Sequence, residues 1–239
     1  SRSGNGIYLS PLLPFLIGLG CSSSPEEETA VLVESVPPLQ FSLPLSQPEL
    51  FEIVVGVDHD PEIQTSTIGQ VICTDYAGRS FPHCYDEHDG SDFILHGGFS
   101  TMDEGSVAIL AAAPGEVSLA EDGHYDRCHG DLSTGGVDCD GHEMEANAVI
   151  LLHESGYQSL YWHMMSGSVA VEVGDWVEAG ETLGRVGSSG RSSQPHLHFE
   201  VQDSFEGVID PYAGAYSQPE SWWCDQGELD EIPGYCIRP

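Results

Sequence analysis

The chain has 239 residues, of which 39 are acidic and 6 basic, giving a formal net charge of −33 at neutral pH. That charge repels phosphate backbones and anionic lipid surfaces, which argues against nucleic-acid binding and against electrostatic docking on a membrane. An apolar content of 40% is ordinary for a globular chain, so a domain with a substantial core is expected and general disorder is not.

Gly6 to Gly20 is apolar, too short to span a bilayer and suited to a signal-peptide core. It leads into Ile17-Gly18-Leu19-Gly20-Cys21, which resembles a bacterial lipoprotein cleavage box. Gly20 suits the position before the cysteine, whereas Leu19 and Gly18 are not the usual occupants. The expectation for residues 1–21 is therefore export, ending in either plain cleavage or lipidation at Cys21. A lipid there would be the chain's one membrane contact. Residues 22–50 are rich in Ser, Pro and Glu and read as a disordered tether, with ordered sequence starting near Phe51.

Beyond that point the pattern predicts strands and hardly any helix. Candidate strands are Phe51–Val55, Val107–Ala113, Glu116–Leu119, Val169–Val173, Thr182–Val186 and His196–Val201. Asn147–His153 and Tyr157–His163 read as a hairpin around Ser155-Gly156. The fold class expected is mainly β and antiparallel. Residues 51–85 would be a strand region packed on a main domain at 86–216. Residues 122–145, polar and acidic, would be a hairpin inserted in that domain, and 217–239 a C-terminal extension. Six cysteines fall in close pairs, Cys73 with Cys84, Cys128 with Cys139 and Cys224 with Cys236. Local disulfides in an oxidising compartment are expected, since no pair has the spacing of a zinc knuckle.

The chemistry-bearing residues cluster in a few motifs. In Pro195-His196-Leu197-His198-Phe199-Glu200, alternation along a strand turns His196 and His198 to one side and Leu197 to the other. Two imidazoles on one face make a metal or acid–base pair. His88-Asp89-Gly90-Ser91-Asp92 places a histidine and a carboxylate where they can bend around one ion. Three nitrogen or oxygen ligands with an open position is the catalytic zinc arrangement. Tyr161-Trp162-His163 and a run of glycines from Gly174 to Gly190 complete the set.

The order His-x-Gly-x-Asp, Tyr-x-His, glycine run, Pro-His-Leu-His-Phe-Glu resembles the lysostaphin/LytM-type zinc metallopeptidases over about residues 86–212. The resemblance implies the duplicated hybrid motif fold and one catalytic Zn2+ held by His88, Asp92 and His198. It also implies that His163 and His196 act as acid–base catalysts beside the metal. The substrate implied is a peptide of peptidoglycan, cut in the cell envelope or outside the cell. The alternatives are a non-catalytic wall-binding module and a secreted peptidase acting on proteins. Elsewhere, His153 reads as a plain strand-end histidine and Tyr161 as either a packing or a substrate residue. Asp138-Cys139-Asp140-Gly141-His142 reads as a disulfide-closed turn lacking the full spacing of a calcium loop. Trp222 and Trp223 read as core caps.

Overall fold

The computed structural model describes residues 37–62, 72–205 and 207–236, so the expected signal segment lies outside the described residues. The elements in chain order are β1 (Phe51–Val55), β2 (Ser91–Leu95), α1 (Phe99–Glu104), β3 (Ala108–Leu110), β4 (Gly115–Glu121), β5 (His129–Asp131) and β6 (Gly136–Asp138). They continue with β7 (Ala148–Leu152), β8 (Gln158–Trp162), β9 (Trp176–Val177), β10 (Thr182–Arg185) and β11 (His196–Gln202). The fold is mainly β, as the alternation predicts. Its main sheet has seven strands in the order β1-β2-β11-β8-β7-β4-β9, and every adjacent pair is antiparallel. Two small antiparallel pairs, β3 with β10 and β5 with β6, stand beside it. No helix of the described residues is long and apolar enough to cross a membrane.

Strand alternation explains how the centre of the sheet is built. On β11, Leu197, Phe199 and Val201 are core residues, while His196, His198 and Glu200 occupy the opposite face. Phe93 and Leu95 of β2 and Val149 and Leu151 of β7 complete the same apolar layer. The disulfides join the locally expected partners, Cys73–Cys84, Cys128–Cys139 and Cys224–Cys236.

Four expectations need correction. The tether does not extend to residue 50, because Phe41, Leu43 and Leu45 are each no more than 1% exposed and belong to the core. Phe41 donates its backbone N–H to Trp222 and accepts that of Cys224, so this strap and the C-terminal segment fold together. The intervening Pro44, with Pro37, Pro38 and Pro48 around it, hides the apolar alternation that makes this possible. Residues 51–85 do not simply pack on the main domain, since β1 is the edge strand of its sheet. The C-terminal segment expected at 217–239 is part of the domain and not an added extension, since Trp222 and Trp223 are buried in the core as their core-cap reading expects. Val169–Val173 forms no strand, because apart from Ala170 donating to Leu183 it finds no ladder partner. β2 is not among the expected strands, its polar residues Ser91 and Asp92 masking a short strand that sits between β1 and β11.

Tyr161 is fully buried, its hydroxyl accepting the Ala112 backbone N–H, so its role is packing. His153 turns to the Pro114 carbonyl and the Ser159 hydroxyl, 2.8 Å from each. Phe41 packs edge-on against Phe199, with ring centroids 5.5 Å apart, and also touches both tryptophans. Phe41→Ala should therefore destabilise the fold by about 3–5 kcal/mol in urea unfolding. A change under about 1 kcal/mol would mean that the strap adds little to the core.

Candidate metal centre

Strand register does most of the work at the site. Antiparallel pairing puts Asp92 of β2 directly opposite His198 of β11, and His198 opposite Trp162 at the end of β8. Both Asp92 and His198 therefore project from neighbouring positions on one sheet face. His88 joins them from the turn that precedes β2. His163 follows β8 immediately, and its left-handed backbone (φ 68°) ends that strand. All five residues expected at the site come together.

The distances define the cluster. Asp92 Oδ1 lies 3.1 Å from His88 Nε2 and 2.8 Å from His198 Nδ1, and the two imidazole nitrogens are 3.2 Å apart. His196 Nε2 is 3.5 Å from the same carboxylate oxygen. The His163 ring centroid is 4.6 Å from that of His196 and 5.9 Å from that of His198. His88, Asp92 and His196 are buried, His198 partly so.

Each imidazole is held by its other nitrogen. His88 Nδ1–H donates to the Gly56 carbonyl, His163 Nδ1–H to Ser189 and His196 Nδ1–H to Gln194, each at 2.7 Å. A donated Nδ1 proton fixes the tautomer and leaves Nε2 as a lone pair. His198 is reversed, with Nδ1 toward Asp92 and Nε2 3.7 Å from Glu200 Oε2. Glu200 is itself bonded by the Gln202 amide.

Electrostatics follow from that packing. Burial opposes ionisation of Asp92, but His88 and His196 beside it hold its carboxyl well below the usual carboxylate range. Burial likewise opposes a charge on His198, yet Asp92 and Glu200 outweigh it and lift the imidazole to about 9. His163 falls well below the ordinary histidine value, through burial first and then through the charges of His196 and His198.

The donor set fits zinc. Two imidazole nitrogens and a carboxylate oxygen are the ligand types of catalytic zinc sites, and tetrahedral bonds of about 2.0–2.1 Å would space them about 3.3 Å apart. The observed triangle is close to that size. The supporting carbonyls and Glu200 are the outer shell such a site requires. Sequence reasoning missed that shell; only the i, i+2 spacing of His198 and Glu200 signalled any of it. A cleft of about 490 Å³ opens onto the cluster, lined among others by Tyr85, His88, His163, Arg191, His198 and Glu200. The Tyr85 ring lies against His88, centroids 4.2 Å apart.

Residues 87–211 match the family described as Peptidase family M23, which is just over half the chain. The chain belongs to peptidase family M23. Over 80 residues it is 40% identical to the DD-carboxypeptidase/endopeptidase Mpg of Neisseria meningitidis serogroup B, a match covering 34% of this chain and 18% of that protein. Over 54 residues it is 41% identical to lysostaphin of Staphylococcus simulans, covering 23% of this chain and 11% of lysostaphin. The chain thus matches less than a fifth of the length of these two relatives. Among solved structures, the catalytic domain of lysostaphin from Staphylococcus simulans aligns at 26% identity, covering 53% of this chain and 77% of that one, with a TM-score of 0.35. The catalytic domain of EnpA from Enterococcus faecalis aligns at 24% identity, covering 62% and 94%, with a TM-score of 0.38.

Gly90 carries a constraint that the spacing alone does not reveal. A Cβ there would lie 2.6 Å from His198 Nε2 and 2.8 Å from the Phe199 carbonyl. Gly90→Ala should displace His198 and lower zinc affinity by roughly 10–100-fold, although Gly90 offers no ligand atom. Chelator competition measures this, and unchanged affinity would show that His198 does not bear on the metal.

Proposed function

We propose that this M23 protein is an exported zinc-dependent endopeptidase that hydrolyses peptide bonds in the stems or cross-bridges of peptidoglycan. The observation carrying this reading is that a three-donor set at the base of a cleft has two further histidines beside it, His163 lining that cleft and His196 buried against Asp92. A purely structural zinc would need neither His163 nor His196, which favours catalysis over a wall-binding module. Mpg, lysostaphin and the peptidoglycan DD-endopeptidase ShyB of Vibrio cholerae, 35% identical over 60 residues, support a wall peptide as substrate. Export is supported by the apolar segment before Cys21 and by the disulfides, which persist in oxidising compartments.

In this reading His88, Asp92 and His198 are the metal ligands. A zinc ion bound there supplies Lewis acidity, activating water and polarising the peptide carbonyl. His163 lines the cleft and is held neutral, so its Nε2 is free to take a proton from the attacking water and deliver it to the leaving amine. His196, anchored through Gln194, offers a second nitrogen where a proton can reside and stabilise charge developing on the carbonyl oxygen. The loop carbonyls of Ser189 and Gln194 keep both rings in place while protons move.

The test is incubation of the full chain with purified peptidoglycan, counting newly released amino groups with and without a zinc chelator. Chelator-sensitive release is expected, and His163→Ala should reduce it by about 10²–10⁴-fold while the protein keeps its zinc. A folded, zinc-loaded sample that releases nothing would overturn the wall substrate and turn attention to protein substrates.

A further inference from the structure

Six arginines are the only fixed cations of a chain with 39 carboxylates. Arg79 is paired with Asp75 and Asp230, and Arg127 with Asp103. Arg185 does not line the cleft. Arg191 does line it, is exposed, and makes no ion pair among the described residues. In so acidic a protein, an exposed arginine with no ion-pair partner among the described residues leaves a hydrated fork of five donors beside the candidate active site, open to a ligand.

Its backbone is fixed in place. Arg191 sits between Ser189, whose carbonyl holds His163, and Ser192, whose hydroxyl lies 3.2 Å from His196 Nδ1. The inserted segment braces the same loop. Cys128 N–H donates to the Ser188 carbonyl, the Ser188 hydroxyl donates to the Cys128 carbonyl, and Gly130 N–H donates to Ser193. A Cβ on Gly190 would meet Ala146 at 2.8 Å, so the loop is pressed against the other end of the insertion. The loop that orients both non-ligand histidines thus presents the cation, and the Cys128–Cys139 insertion holds it. The rest of the cleft carries Asp86, Glu87, Asp89 and Glu200, which repel anions. A negatively charged substrate group is tolerated best beside Arg191.

We propose that Arg191 is a specificity-determining residue that binds a carboxylate of the substrate peptide, so that the enzyme favours acidic peptides over amidated ones. This rests on the hydrolase reading above and names the substrate class for the same cleft. Arg–carboxylate pairs are charge-assisted and often bidentate, and a fixed loop lowers the ordering cost of forming one. The carboxylate can belong to a side branch of the peptide or to its C-terminus.

The experiment uses zinc-loaded full chain and one stem peptide in three forms, namely free acid, C-terminally amidated and fully amidated. Turnover is followed in wild type and Arg191→Gln. Binding is followed by calorimetry in a His196→Ala background, with and without Arg191→Gln, where the peptide survives. Wild type should favour the free acid over the fully amidated form by roughly 10–100-fold, mostly in KM. Arg191→Gln should abolish that preference, its KM for the free acid rising to that for the fully amidated form. Preference lost at C-terminal amidation assigns the C-terminal carboxylate, and preference lost only at full amidation assigns an internal one. Equal turnover and binding of all three forms by wild type, or a preference that survives Arg191→Gln, would overturn the proposal while leaving the hydrolase intact. Arg191-dependent binding without turnover of any form would uphold carboxylate recognition and remove the hydrolase reading instead.

Discussion

The pairing of β2 with β11 is the constraint on which the rest of the site depends. It sets Asp92 across from His198, and on the other face Phe93 beside Leu197 in the core. Because strand side chains alternate, a slip of one residue would drive Phe93 to the cleft and Asp92 into the apolar layer. Phe93, Leu95, Leu197, Phe199 and Val201 therefore hold the register that gathers the polar groups. The strap of Phe41, Leu43 and Leu45 and the two C-terminal tryptophans cover that layer. Packing energy on one face is thus converted into donor geometry on the other.

The second feature is preorganisation. A buried carboxylate amid several histidines is costly unless its neighbours are fixed and satisfied. Here three imidazoles are tied to backbone carbonyls of Gly56, Ser189 and Gln194, and His198 is flanked by Asp92 and Glu200. Gly90 gives His198 the space it occupies. Groups placed in this way need little reorganisation when charge moves, which is where electrostatic catalysis gains its advantage.

Much of this was legible in the sequence, for identifiable reasons. The two-residue spacing of His196 and His198 reports a strand face directly, and paired cysteines at short range close where they stand. The histidine–glycine–aspartate motif and its order relative to Tyr161-Trp162-His163 pointed to one cluster. What stayed hidden was whatever depends on distant partners. β2 opens with Ser91 on the core face, opposite Phe199, and Asp92 on the site face, so two polar residues stand where alternation would show a strand. The strap at residues 41–45 is interrupted by Pro44 and gains its burial from distant partners, among them Phe199, Trp222 and Trp223. Val169–Val173 has strand composition but no ladder partner. Gly90 reads as a turn residue, whereas its need is close approach to a side chain over a hundred positions away. Carbonyl anchors leave no sequence signature at all.

Anomalous diffraction at the zinc edge, from crystals of the zinc-loaded full chain, tests the central claim most directly. The account predicts one ion per chain bonded to His88 Nε2, Asp92 and His198 Nδ1 at about 2.0–2.2 Å, with a fourth position open to solvent. An ion located elsewhere, or one closed off by His163 or His196 as a fourth protein ligand, would contradict it.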